Sequence, residues 1–298
     1  MKTIDPKNIS VGALHQFLLG SVAPRPIAFA STIDELGRPN LAPFSFFNVF
    51  SANPPILIFS PARSGRDNTT KHTYENVKKV PEVVVNVVDY QLVHQCSLAS
   101  TAYDEGVNEF VKAGLTPIPS EVVRPFRVKE SPVQMECIVK QVIELGHEGG
   151  AGNLVIAEVV RMHIADHVLT EDGKIDPLKM DLVGRCGGDF YSRTNSEALF
   201  EVAKPIQNMG IGVDQLPADV RESNVLTGNN LAQLANVEHV PDETEVNEYK
   251  LTELADLFIE LSDEPIKLEM ALHTRAKVLL DKNDINSAWL TLLTFNNG

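Results

Sequence analysis

Apolar residues change their spacing along this chain near residue 205. Before it they fall in short β-branched or aromatic runs broken by Gly, Pro and polar clusters, the signature of strands and turns. Residues 8 to 20, NISVGALHQFLLG, predict a lead-in helix with Leu14, Phe17 and Leu18 on one face. Residues 26 to 32 and 40 to 50 predict two strands joined across IDELGRP, and PILIFS at 55 to 60 a further strand. The loop PARSGRDNTT leads into a helix over 71 to 79, VVVNVVD at 83 to 89 is strand, and 91 to 99 is helical. ESPVQMECIVKQVIELG and NLVIAEVVRMHIADHVL then form a second hairpin around the turn HEGGAGN. Five or six strands with inserted helices and no strict βαβ alternation predict a mainly β, α+β fold, an antiparallel barrel instead of a doubly wound sheet.

After Arg193 the texture changes, with Pro205, Gly210, Gly212 and Pro217 marking a connector. Leu251, Leu254, Ala255, Phe258 and Leu261 then recur at helical steps, a stripe expected to be core. Pro265 suits the first position of a following helix, and Asn283 or Asp284 a cap for a last one carrying Trp289, Leu290 and Leu293. The expected division is a barrel over 1–205 and a helical extension over 206–298.

Composition adds limits. Among 298 residues, 43% are hydrophobic and 22% charged, as in an ordinary globular protein with a sizeable core. The N-terminus lacks an apolar signal core and no apolar run reaches membrane-spanning length, so a cytoplasmic protein is expected. The three cysteines, Cys96, Cys137 and Cys186, form no C-x-x-C pair, which argues against a zinc ribbon or a disulfide framework. Net charge is −14, of which residues 201 to 298 hold −10, from 17 Asp+Glu against 7 Lys+Arg. Such a chain repels nucleic acid and anionic membranes.

Two stretches carry candidate chemistry. In the strand over 40 to 50, Asn40, Ser45, Asn48 and Ser51 interrupt Phe44, Phe46, Phe47 and Phe50. Two readings are open: a core strand with polar edges, or the wall of a slot for a flat, polar-edged aromatic ligand. The loop from Ser60 to Thr73 offers Ser60, Arg63, Ser64, Arg66, Thr69, Thr70, Lys71 and Thr73 ahead of a helix start. That set suits a phosphate dianion, or else a solvated basic loop capping a helix.

Taken together, RPIAFASTID, NLAPFSFFN, SPARSGRDNTTKHTYEN, EGVNEFVKAGLT, ESPVQMECIV and LVGRCGGDFYSR resemble, in order, the flavin reductase-like, FMN-binding split-barrel family over roughly residues 10 to 205. The resemblance implies an FMN-binding split barrel, a homodimer with the flavin at the subunit interface. It also implies a hydride passed from NAD(P)H to the flavin and electrons passed on to free flavin, iron or a partner protein. By resemblance the ring neighbours are Ser31, Thr32, Ala42, Pro43, Phe44, Ser45 and Asn48, and Lys71 and Thr73 are phosphate contacts; the reading of the loop itself adds Ser60, Arg63 and Arg66. Asn86, polar within VVVNVV, and Tyr191, after Gly187–Gly188, complete the cofactor-binding set. The family's Lys-Asp-Thr followed by Asn corresponds here to Lys71, His72, Thr73 and Asn76, so the Asp position is His.

Other chemistries find less support. His163 and His167 have metal-ligand spacing only on a helix, whereas HIADH reads as strand into turn. HEGGAGN lacks the Lys-Ser/Thr of a P-loop, and Cys186 has no evident base. No residue need act as acid or base, and no metal is expected. Two further classes stay open: an electron-transfer flavoprotein without its own NAD(P)H site, and a scaffold whose helical extension is an interaction module.

Overall fold

In chain order the strands are β1 (Ala28–Ile33), β2 (Pro39–Phe44), β3 (Phe47–Ala52), β4 (Pro55–Phe59), β5 (Glu82–Asn86), β6 (Pro117–Ile118), β7 (Arg127–Val128), β8 (Val133–Glu144), β9 (Asn153–Ile164), β10 (Val183–Arg185) and β11 (Tyr191–Arg193). Seven of them form one antiparallel sheet of order β2-β1-β5-β8-β9-β4-β3. β2 and β3 are its two edges, yet only Ser45 and Phe46 separate them. Laid flat, six inter-strand spacings of about 4.8 Å would part the edges by about 29 Å, whereas three Cα steps span at most about 11 Å. The sheet must therefore curl until its edges meet: a barrel, split at the β2/β3 seam.

The single strand predicted over 40–50 is thus two strands belonging to opposite edges, with the break at Ser45–Phe46. β1 and β2 turn through Asp34–Arg38, where the Asp34 carboxylate accepts the Leu36 and Arg38 amides (2.9 and 2.8 Å) and Gly37 takes φ 78°.

The barrel interior holds Ala28, Ala30, Phe44, Leu57, Phe59, Val83, Val85, Met135, Cys137, Val155 and Ala157, with Phe44 stacked on Phe59. On the outer face of β1 and β2, Phe29 and Leu41 pack against Val93 and Cys96 of a helix over Val93–Leu98, and Phe110 of another over Glu109–Ala113. In chain order the helices of this unit are α1 (Val11–Ser21), α2 (His72–Lys79), α3 (Val93–Leu98), α4 (Glu109–Ala113) and α5 (Pro177–Met180). α1 buries none of its residues, and Phe17 and Leu18 of its predicted apolar face are exposed.

This computed structural model describes residues 1–206 and 209–295, which divide by contacts into two units, Met1–Phe200 and Glu201–Gly298. The second is helical: α6 (Ala218–Arg221), α7 (Gly228–Ala235), α8 (Glu243–Glu253), α9 (Ala255–Glu260), α10 (Pro265–Asp281) and α11 (Ile285–Leu293). Pro265 opens α10, and the Asp284 side chain caps α11 by accepting the Ser287 amide. Trp289 is buried, and its Nε1 donates to the Leu234 carbonyl at 3.0 Å. The predicted stripe is interrupted: the helix breaks at Leu254, which is buried with Leu268 and Leu272, and Leu251 turns to solvent. Among the described residues no helix is long and apolar enough to cross a membrane.

Candidate functional site

A cleft of about 870 Å³ opens beside the seam of the barrel, within the range of small-molecule and cofactor sites. One wall is the end of β2 and the link after it, Ala42 to Phe46. β2 is an edge strand, where Pro43 fits because it has no N–H to leave unpaired. Its Leu41 amide donates to the Glu109 carboxylate at 3.0 Å, which pins the wall to the start of α4. Glu109 itself lines the cleft and is almost fully buried, and burial pushes its carboxyl above the ordinary range.

The opposite wall is the loop from Asp67 to Thr73. Its geometry is set from both ends. The Arg63 guanidinium donates to the Asn68 side chain (2.7 Å) and carbonyl (2.9 Å), closing the loop on itself. The turn over 146–152 buttresses it from behind: Arg63 N–H donates to the Ala151 carbonyl at 2.8 Å, and Gly150 N–H to the Arg63 carbonyl at 3.1 Å. Gly149 and Gly152 permit this approach, since a Cβ would lie 3.0 Å from the Ser64 carbonyl oxygen and 2.8 Å from the Ser60 Oγ, respectively.

The loop delivers the first turn of α2 to the cleft with Lys71 at the N-cap and no side chain capping its amides. Lys71 is exposed and makes no ion pair among the described residues. Free helix-terminal N–H groups beside an unpaired ammonium are a ready anion site. Asp67 lies in the same wall, held at about 2 by donors from Ser64 and Thr69.

Beneath this end lies a buried polar network. The Asn40 Nδ2 donates to the Thr32 Oγ1 (3.1 Å) and the Thr73 Oγ1 (2.9 Å), and the Asn76 Nδ2 also donates to Thr32 (3.1 Å). With its oxygen already accepting, the Thr73 hydroxyl still has a proton to donate, and Thr73 and Asn40 both line the cleft. Buried polar groups persist where partners are supplied; here they fix the orientation of a donor.

Residues 19–179 match the family described as flavin reductase like domain. The chain belongs to that family. A solved structure of nitrilotriacetate monooxygenase component B from Bacillus cereus superposes with a TM-score of 0.63 at 32% identity, covering 68% of this chain and 98% of that one. A Shewanella frigidimarina protein with a split barrel domain gives 0.56 at 26%, covering 66% and 96%. An uncharacterised protein of Halalkalibacterium halodurans is 39% identical over 64% of this chain and 91% of its own length.

Of the residues this flavin reductase-like chain offered from sequence, Ala42, Pro43, Phe44, Ser45, Ser60, Lys71 and Thr73 line the cleft, and Thr32 lies under it through Asn40. The others lie elsewhere. Ser31 is buried on the other face of β1 with its Oγ unpartnered. Asn48 follows the seam onto β3 and is exposed. Arg63 braces the loop, and Arg66 points to solvent. Asn86 donates to the Phe29 carbonyl and accepts the Val128 amide, so it stitches β5 to its neighbours. Tyr191 packs on the outer core with the Arg185 guanidinium 4.7 Å above its ring.

His15, Arg25, Asn40, His72, Glu109, Arg185 and the loop over 99–105 also line the cleft, and sequence reading did not select them. Only His72 and Asn40 had a local signal, one beside the Lys-Thr motif and one inside the aromatic strand. His163 reaches the Glu136 carboxylate at 2.7 Å and His167 lies in a separate short turn, so the two imidazoles do not pair. Cys96 and Cys137 are buried, their thiols pushed up to about 12.

Proposed function

We propose that the cleft binds FMN and that the protein is an NAD(P)H-dependent flavin oxidoreductase. The reading is supported most by the convergence of the β2 wall, Ala42 to Ser45, and the uncapped cationic start of α2, Lys71 to Thr73, on one cavity. Lys71, the first amides of α2 and the Thr73 hydroxyl would hold the phosphate, with the His72 imidazole beside them. Backbone of the β2 end and link would meet the polar edge of the ring, with Phe44 and Phe46 as its apolar surround.

FMN, when bound, supplies the redox chemistry by accepting a hydride from NAD(P)H at N5 and passing electrons on to an acceptor. The chain binds and orients: Glu109 holds the β2 wall through Leu41, and the loop over 99–105 forms part of the cleft lining. The Bacillus cereus relative is one component of a monooxygenase, which fits electrons leaving either to a second protein directly or by way of free flavin. A homodimer accounts for the apolar residues left exposed near the cleft, Phe17 and Leu18 on α1 and Val49 and Phe50 on β3.

Titration of the purified protein with FMN, followed by visible absorption and then by anaerobic addition of NADH or NADPH, tests this. Saturable binding with bleaching by either nucleotide is expected. Binding without bleaching would favour an electron-transfer flavoprotein, and no binding would overturn the assignment.

A further inference from the structure

The cleft has a second cationic end, opposite in character to the first because its charge is buried. Arg25, just before β1, is only 5% exposed. Its guanidinium donates to the Leu19 and Val22 carbonyls at the end of α1 and to the Cys186 carbonyl at 3.1 Å, while its Nε is buried with no partner among the described residues. The backbones of Arg25 and Arg185 exchange hydrogen bonds of 2.9 and 2.8 Å, which sets the two side chains on the same cleft. Arg185 donates to the Gly188 carbonyl at 3.1 Å and lies over Tyr191.

Among the described residues neither guanidinium has a carboxylate within ion-pair distance. Burial, and after it the nearby Arg185 charge, pulls the Arg25 pKa down. Of the four acids bordering the cleft, Glu105 turns to Arg38, Glu109 to the Leu41 amide, and Asp67 to Ser64 and Thr69, while Asp104, on the loop over 99–105, makes no ion pair with either guanidinium. A chain with 40 acidic residues has left two adjacent cations without one. Buried charge is costly unless paired, and an oxyanion from outside the chain would pair it.

We propose that the Arg25–Arg185 end of the cleft is a subsite for the oxyanion group, carboxylate or phosphate, of the reactant that exchanges electrons with the flavin. This rests on the flavin lying in the cleft with its phosphate at α2. Arg185, planar and only partly buried, is the contact residue, suited to a two-pronged grip on an oxyanion. Arg25 positions it by tying α1 to the turn after β10.

Calorimetric titration of the full-length protein with benzoate and, separately, ADP-ribose tests the subsite and names its source, a carboxylate or a dinucleotide phosphate. At least one probe is expected to bind, and Arg185→Gln to weaken it about tenfold or more. Arg185→Lys should retain part of the affinity. Lys71→Ala should leave the probe unaffected, and FMN affinity should be unchanged in Arg185→Gln. An unaltered melting temperature in Arg185→Gln keeps the comparison clean, whereas Arg25 variants are avoided because they break the clamp.

Failure of both probes to bind, or equal binding by Arg185→Gln, would overturn the proposal. So would weaker FMN binding in Arg185→Gln with probes unaffected, since the flavin phosphate would then occupy this end. Probe binding with no FMN binding would sink the flavin reading and, separately, the subsite's role toward a flavin.

Discussion

At the scale of single residues, what matters is which charges are left without partners. Lys71 is the free cation at the start of α2, while Arg63 spends its guanidinium on Asn68. Lys71→Ala is therefore expected to weaken FMN binding by about 1.5 to 3 kcal/mol, the worth of a charge-assisted bond. Arg63→Ala acts only through the loop and should cost less. Fluorescence titration of both variants checks the order; the reverse order would place the phosphate at Arg63.

His273 carries a different consequence. It is 3% exposed, its Nδ1 lies 2.8 Å from the Ser223 Oγ, its Nε2 is buried without a partner, and burial lowers its pKa while Glu269 and Asp219 oppose the shift. A folded-state value below the unfolded one means stability present above the ordinary imidazole range near 6.5 and lost as pH falls through the folded value. Trp289 is the only tryptophan and lies in the same helical unit. Its fluorescence in urea at pH 7.5 and 5.5 should show a drop in stability that His273→Phe abolishes. Lys71 and Thr73 were legible in sequence because a short motif carries them. Glu109 and Arg185 were not, because they reach the cleft from 68 and 160 residues beyond Leu41 and Arg25, respectively.

Elements show where local pattern holds and where topology overrides it. The β8–β9 hairpin follows directly from β-branched runs, and the helix after Lys71 from the polar loop that leads into it. The aromatic run over 40–50 does not reveal its own break, because nothing local distinguishes a strand that continues from one that crosses a closed barrel. Likewise HEGGAGN reads as a turn, but its role as a brace for the loop before α2 depends on contacts with residues some 90 positions earlier, such as the Asn153 amide to the Ser60 Oγ at 3.1 Å. Gly152→Ala would push on that hydroxyl. An FMN affinity about fivefold lower, with the fold retained by circular dichroism, is the expected result, equivalent to about 1 kcal/mol of strain passed to the loop.

For the whole molecule, the contacts divide the chain at Phe200, and the spacing of apolar residues changes near residue 205. Each unit has its own apolar clusters. We expect a chain ending at Phe200 to bind FMN within about twofold of the full protein, as additivity between independent regions implies. Loss of both flavin and oligomer on truncation, measured by titration and light scattering, would show that the helical part completes the site. Barrel class was legible from strand number and order of motifs; closure was not, because it follows from which strands become edges.

Ser45 and Phe46 tie those edges together and also border the cavity. A ligand seated there is expected to favour the closed seam, and by reciprocity closure would then favour the ligand by the same factor. A bound molecule should slow amide hydrogen exchange in β3 and β4, across the seam from the wall it touches. A lesion in that short tether should be repaired, in part, simply by adding more ligand.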